Sequence, residues 1–66
     1  MTPEWIEGRV RDIDAIAGDD EMAHSEEDQL HQEVLAAIAN GETSDPAACA
    51  RAALKTQNIK FARWCA

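Results

Sequence analysis

Apolar residues recur near the start of the chain at the spacing of one helical face. They follow one another at four, three and four residues: Ile6, Val10, Ile13 and Ala17. Thr2 followed by Pro3 is typical of a helix N-cap with proline in the first helical position. Gly18 is placed to end the helix. We therefore predict a first helix over about 3–17.

A longer apolar stripe predicts a second helix over about 20–40, ending before Gly41. The residues of the stripe are Ala23, Leu30, Val34, Ala37 and Ile38. The acidic residues 19–21 suit the positive end of the helix dipole. Ser25 offers a later N-cap, but the earlier start is favoured because Gly18 already supplies the turn.

Asp45 followed by Pro46 repeats the cap-and-proline pattern and predicts a third helix over about 46–56. A last apolar cluster predicts a short helical turn over 59–64: Ile59, Phe61, Trp64 and Cys65. No segment alternates apolar and polar residues as a strand would. We expect an all-α fold: one domain over 1–66, built as a compact three-helix bundle with a short C-terminal helical turn.

Charge is divided unevenly along the chain. Thirteen Asp and Glu residues against six Lys and Arg give a formal net charge of −7, and all thirteen acids lie in the first 45 positions. The remainder carries only cations: Arg51, Lys55, Lys60 and Arg63. Nucleic acid and anionic lipid are polyanions, so we expect neither as a direct partner. A protein with a basic surface suits this charge better.

A chain of 66 residues has little room for a deep catalytic pocket, so we expect binding, with no enzyme activity and no cofactor. A homodimer also fits this size. The sequence shows no signal peptide, and no apolar run approaches about 18 residues, so we expect a cytoplasmic protein. Cys49 and Cys65 stand alone and are expected to be small buried residues.

Two charged residues fall within apolar helical faces. Arg9 lies in the apolar arc of the first helix, and Glu27 lies in that of the second. If the chain reverses near Gly18, residue 27 comes opposite roughly residue 10. We therefore predict a partly buried Arg9–Glu27 ion pair that fixes the alignment of the two helices.

One cluster has the residue types of a metal site. His24, Asp28 and His31 share one helical face, and Glu27 lies four residues before His31. A single helix seldom supplies a whole ligand set, so the alternative is a set of solvated i to i+4 pairs. A metal-binding or small metal-dependent catalytic protein, completed by a dimer, is the second functional hypothesis.

Surface residues suggest a partner site on the first two helices. The carboxylates expected to meet a basic partner are Glu7, Asp14, Asp20, Glu26 and Glu33. Arg63 and Trp64 join them because a cation beside an aromatic ring is a common interface composition. The alternative places Phe61 and Trp64 in the core, with the cations outside.

Three segments resemble small acidic proteins encoded by bacteriophages and prophages. They are DEMAHSEEDQL at 20–30, VLAAIA at 34–39 and FARWCA at 61–66. The resemblance covers most of the chain and brings no catalytic residue with it. It implies an accessory factor that binds a host protein, such as an inhibitor of a nucleic-acid-binding or defence protein. The charge also permits an antitoxin-like partner of a basic toxin.

Overall fold

The computed structural model describes residues 1–63, which form three α-helices and one short 3-10 helix. The α-helices are α1 (Pro3–Ala15), α2 (Asp20–Ala39) and α3 (Pro46–Leu54), and the 3-10 helix is Lys55–Asn58. Each α-helix packs against the other two. The predicted all-α three-helix bundle with a short C-terminal helical turn is confirmed.

Side-chain caps start all three helices where the sequence predicts them. Thr2 accepts a hydrogen bond from the amide of Trp5 at 3.2 Å. The carboxylates of Asp19 and Asp45 cap α2 and α3 at 3.1 and 3.0 Å, respectively. Each cap satisfies an amide that has no carbonyl partner within its helix. The cap at Asp19 confirms the earlier start of α2 over the alternative start at Ser25.

The helix ends differ from the predictions at α1 and α3. The first helix ends at Ala15, and residues 16–18 form a turn closed by short-range bonds such as Ile16 N–H to Ile13 O, 3.1 Å. Gly41 is the only residue among those described with a positive φ, at 70°, so Gly18 is not a left-handed helix cap. Hydrogen bonds between residues three apart already reverse the chain there, so no residue with a left-handed backbone is needed.

The C-terminus of α2 is closed by a Schellman motif at Gly41. The amide of Glu42 donates to the carbonyl of Ala37 at 2.8 Å, and the amide of Gly41 donates to Ile38 at 3.1 Å. These bonds satisfy carbonyls that the helix leaves without a partner. The left-handed backbone at residue 41 explains why a glycine stands two residues after the end of α2.

Residues 59–63 do not form the helical turn predicted over 59–64; the short C-terminal helix lies earlier, at Lys55–Asn58. Thr56 is fully buried and its hydroxyl donates to the carbonyl of Ala53 at 3.2 Å, which tightens the chain directly after α3. Ile59 then takes an extended backbone and inserts its side chain into the core. Trp64 and Cys65 lie outside the described residues.

A single core fills the space between the helices. Its buried members are Ile6, Ile13, Ala23, Leu30, Val34, Cys49, Ala52, Ala53 and Ile59. The small residues of α3 allow that helix to approach α1 and α2 closely. Cys49 is buried as predicted, with its sulfur 3.1 Å from the hydroxyl of Thr43. Among residues 1–63, no helix combines the length and apolar character that crossing a membrane requires.

Candidate functional site

The predicted Arg9–Glu27 ion pair is wrong, since each residue has a different partner within residues 1–63. Arg9 lies 2.6 Å from Glu33 and 3.8 Å from Glu26. Its guanidinium also lies over the Trp5 ring, 5.3 Å from the centroid. The alignment of α1 with α2 is close to the expected one. The error is one of rotation, because Glu26 and Glu33 lie about 100° around α2 from Glu27 and face α1.

Glu27 pairs with Arg63, which follows the core residue Ile59 in the C-terminal segment. The guanidinium approaches both carboxylate oxygens, with Nε to Oε1 at 2.8 Å and Nη2 to Oε2 at 3.0 Å. Nη2 also donates to the carbonyls of Thr56 and Ile59, at 2.8 and 3.2 Å. Arg63 stacks on Phe61, 3.8 Å from the ring centroid. This bidentate pair fastens the end of the described chain to α2.

The electrostatics of Glu27 reflect this partner. Burial alone would raise the pKa of Glu27, which is only 3% exposed. The hydrogen bonds of Arg63 and Thr56, together with the charge of Arg63, outweigh burial and hold the pKa of Glu27 below its ordinary value of 4.5. Glu27 is therefore a charged structural residue at neutral pH.

We expect this pair to make stability depend on pH. A carboxyl group with a lowered pKa in the folded state contributes stability at pH values above its unfolded pKa. That contribution disappears as the pH falls through the lower folded pKa. The free energy of unfolding, measured by urea titration from neutral pH to well below pH 4.5, should therefore fall in the parent. The free energy of unfolding should fall less in Glu27→Gln, which retains every other carboxylate. An equal fall with pH in the two proteins would show that the Glu27–Arg63 pair is not the source of this pH dependence.

Most carboxylates predicted to meet a partner make contacts within the chain. Glu7 pairs with Lys55 at 2.5 Å, which lowers the pKa of Glu7. Asp20 accepts a hydrogen bond from the amide of Ala62 at 3.1 Å. Glu26 and Glu33 neutralise Arg9, as described above. Asp14 is exposed on the side of α1 that carries Glu7.

Two of the residues predicted to bind a partner lie at the C-terminus. Arg63 is held by Glu27 and by backbone carbonyls, so its role in the described chain is structural. Phe61 is half-buried against the core, which agrees with the core alternative for this ring. Trp64 lies outside the described residues.

A patch between α1 and α2 combines exposed carboxylates with an exposed apolar side chain. Two shallow hollows adjoin there, and Met22 and Glu26 line both of them. Asp12 borders the first hollow and Glu21 borders the second. Met22 is 53% exposed. We call Asp12, Glu21, Met22 and Glu26 the acidic α1–α2 face.

The candidate metal residues are not assembled into one site. His24 pairs with Asp28, with Nε2 3.4 Å from Oδ2, as in the solvated-pair alternative. His31 instead turns toward α3, where Nε2 lies 3.2 Å from the carbonyl of Ala53 and 3.0 Å from the hydroxyl of Thr56. Glu27 is occupied by Arg63. Among residues 1–63, no three His, Cys, Asp or Glu side chains are grouped to share a metal ion.

Sequence reasoning missed two features of the surface. The first is Arg63 as the partner of Glu27. A carboxylate on an apolar helix face indicates that a cation must lie nearby, and Arg63 lies within the C-terminal apolar cluster. The sequence does not show, however, that the two residues come together in space. The second is an apolar groove between α2 and α3, bordered by Leu35 and Leu54. Leu35 lies at the edge of the predicted apolar stripe of α2, and this position was only a weak indication of the groove.

Comparison with known proteins adds no family to this description. No protein-family model matches the chain, and neither the curated proteins nor the solved structures give a significant match.

Proposed function

We propose that this chain is a non-enzymatic accessory protein of a bacteriophage or prophage that binds a host protein in the cytoplasm. The contact surface is the acidic α1–α2 face, and the partner presents a basic surface, as a nucleic-acid-binding or defence protein does. The sequence resemblance supports the phage context. The charge distribution supports a protein partner over a nucleic acid, whose phosphates the carboxylates repel.

The observation that carries this proposal is the exposure of Met22 within a rim of carboxylates. Methionine is enriched in the cores of protein interfaces and adapts its shape to a partner. Asp12 and Glu21 make no ion pair within residues 1–63, so they are available to lysine or arginine. An apolar centre with a charged rim is the usual arrangement of an interface.

Glu33, which is not part of this face, adds its carboxylate to that of Glu26. Both contact Arg9, whose single positive charge leaves the group with a net negative charge. A cationic partner side chain can therefore share Glu26 without separating it from Arg9. The whole α1–α2 side attracts a basic surface over a distance of about 8 Å at physiological ionic strength.

We expect the double variant Asp12→Asn, Glu21→Gln to lose its partner. The tagged variant and parent would be used to capture proteins from a bacterial host lysate at low and moderate salt, with identification by mass spectrometry. The matched control is Glu4→Gln, Glu42→Gln, which removes the same charge at two exposed positions that belong neither to the acidic α1–α2 face nor to the carboxylates expected to meet a partner. Circular dichroism checks that both variants are folded.

The result that supports the proposal is a protein captured by the parent and the control, lost from the face variant, and weakened by salt. A partner retained by the face variant, or one captured equally at all salt concentrations, would contradict the proposed surface. Capture of no protein under either condition would contradict the proposed function.

A further inference from the structure

The first of the two hollows in the acidic α1–α2 face has an apolar floor. It lies between α1 and α2 and has a volume of about 190 Å³. Ile13 is buried and Ile16 is half-buried, so these two side chains form the floor. The exposed Met22 forms an apolar wall on the α2 side. A ligand that fills this hollow therefore needs an apolar part that can lie against these three side chains.

Two carboxylates with unused acceptor oxygens border the same hollow. Asp12 lines it from α1, and Glu26 lines it from α2. The guanidinium of Arg9 lies 3.8 Å from Glu26, too far for a hydrogen bond, and donates to Glu33 instead. Asp12 forms no ion pair among residues 1–63. The oxygens of Asp12 and Glu26 can therefore accept hydrogen bonds from a bound molecule.

The charges around the hollow decide the charge of its ligand. Asp12 and Glu26 contribute two negative charges against the single positive charge of Arg9, which Glu33 also contacts. An anion is repelled by this arrangement. A neutral apolar molecule would remove water from both carboxylates without replacing its hydrogen bonds, which costs free energy. The matching ligand is a cationic group at the end of an apolar chain.

Lysine fits this description better than arginine. Its stem of four carbons can lie along an apolar surface while the charged end stays at the rim. The ammonium group is compact and has three donors, so it can bond to Asp12 on α1 and to Glu26 on α2 at once. The planar guanidinium of arginine is instead suited to two parallel bonds with one carboxylate.

We propose that the hollow between α1 and α2 receives one lysine side chain of the basic partner. The stem lies against Ile13, Ile16 and Met22, and the ammonium group lies between Asp12 and Glu26. This inference rests on the proposed function for the source of the lysine. Glu21 borders the second hollow and stays free for other cations of the partner.

The side chain can be tested alone, without the partner. The probe is n-butylammonium, titrated into the protein at low salt while amide chemical shifts are followed by NMR. We expect saturable shifts at Ile13, Ile16 and Met22, with a dissociation constant in the millimolar range because the probe is small. Methylammonium, which lacks the stem, should bind about tenfold more weakly, since it buries no chain on the floor. Butanol, which lacks the charge, and n-propylguanidinium, which represents arginine, should also bind more weakly.

Two variants locate the binding of n-butylammonium. Asp12→Asn removes one carboxylate of the hollow at an exposed position, so the fold should be retained and the affinity should fall. The matched control is Glu4→Gln, which removes an exposed carboxylate of the same helix outside the hollow and should bind like the parent. The amide spectrum of each variant shows directly whether it is folded.

The possible results separate this site from the proposed function. Equal binding of methylammonium and n-butylammonium would overturn the apolar floor, and tighter binding of n-propylguanidinium would overturn the choice of lysine. An Asp12→Asn protein that binds like the parent would overturn the site. If n-butylammonium does not bind but a host protein is captured through the acidic α1–α2 face, only the lysine site is wrong. If n-butylammonium binds but no protein is captured, the chemistry of the hollow is confirmed and the partner as its source is overturned.

Discussion

Replacing Arg63 with alanine should lower the free energy of unfolding by about 3 kcal/mol. The substitution leaves Glu27, only 3% exposed, as a buried carboxylate without its cation. Breaking a buried ion pair on one side costs about 3–5 kcal/mol, and the lower end applies because Arg63 itself is partly exposed. The carbonyls of Thr56 and Ile59 lose a donor as well. A domain of this size has roughly 3–5 kcal/mol in total, so much of the variant should be unfolded without denaturant.

Urea titration followed by circular dichroism measures this effect. The matched control is Lys60→Ala, which removes one exposed cation from the same segment and should change stability by less than about 0.5 kcal/mol. The double variant Glu27→Met, Arg63→Met should recover part of the loss, because it leaves no buried charge behind. If Arg63→Ala unfolds at the same urea concentration as Lys60→Ala, the pair does not hold the C-terminal segment in place.

The starts of the helices were predictable because local chemistry determines them. Thr2, Asp19 and Asp45 each accept a hydrogen bond from an amide three residues later, which any sequence with these caps can form. The ends depend on tertiary packing. Thr56 enters the core and tightens the chain, so the helical turn forms before Ile59 rather than at it.

The charged contacts were less predictable than the helices. Antiparallel alignment brought Arg9 to the correct level of α2, but the rotation of the helix decides between Glu27 and Glu26 or Glu33. That rotation follows from how α2 packs against α3 as well as α1. The partner of Glu27 is 36 residues away in sequence, so no local pattern identifies Arg63.

The same limit applies to the candidate partner surface. Composition predicted an acidic surface on the first two helices, but not which carboxylates remain free of ion pairs. Glu7 forms an ion pair with Lys55, which is 48 residues away, whereas Asp12 forms no ion pair among residues 1–63. Met22 fits the pattern of a helix without facing the core, and only the packed structure shows it to be exposed.

Leu30→Ala should destabilise the protein by about 3 kcal/mol, since Leu30 is fully buried at the centre of the α2 stripe. Removing a buried leucine side chain costs the transfer free energy of its methyl groups and leaves a cavity, with measured costs of about 2–5 kcal/mol. The core also contains small residues, Ala23 and Ala53 among them, which are too small to fill that space. Like Arg63→Ala, this substitution should remove most of the free energy of unfolding of the domain.

Leu35→Ala is the matched control, because it makes the same change in the same helix at a residue that is 66% exposed. It should change the unfolding free energy by less than about 0.5 kcal/mol. Alanine even has a slightly higher helix propensity than leucine. Urea midpoints that fall equally for the two variants would show that Leu30 does not occupy the core position assigned to it. A large difference between them would place the core on one side of α2 and Leu35 on its exposed side.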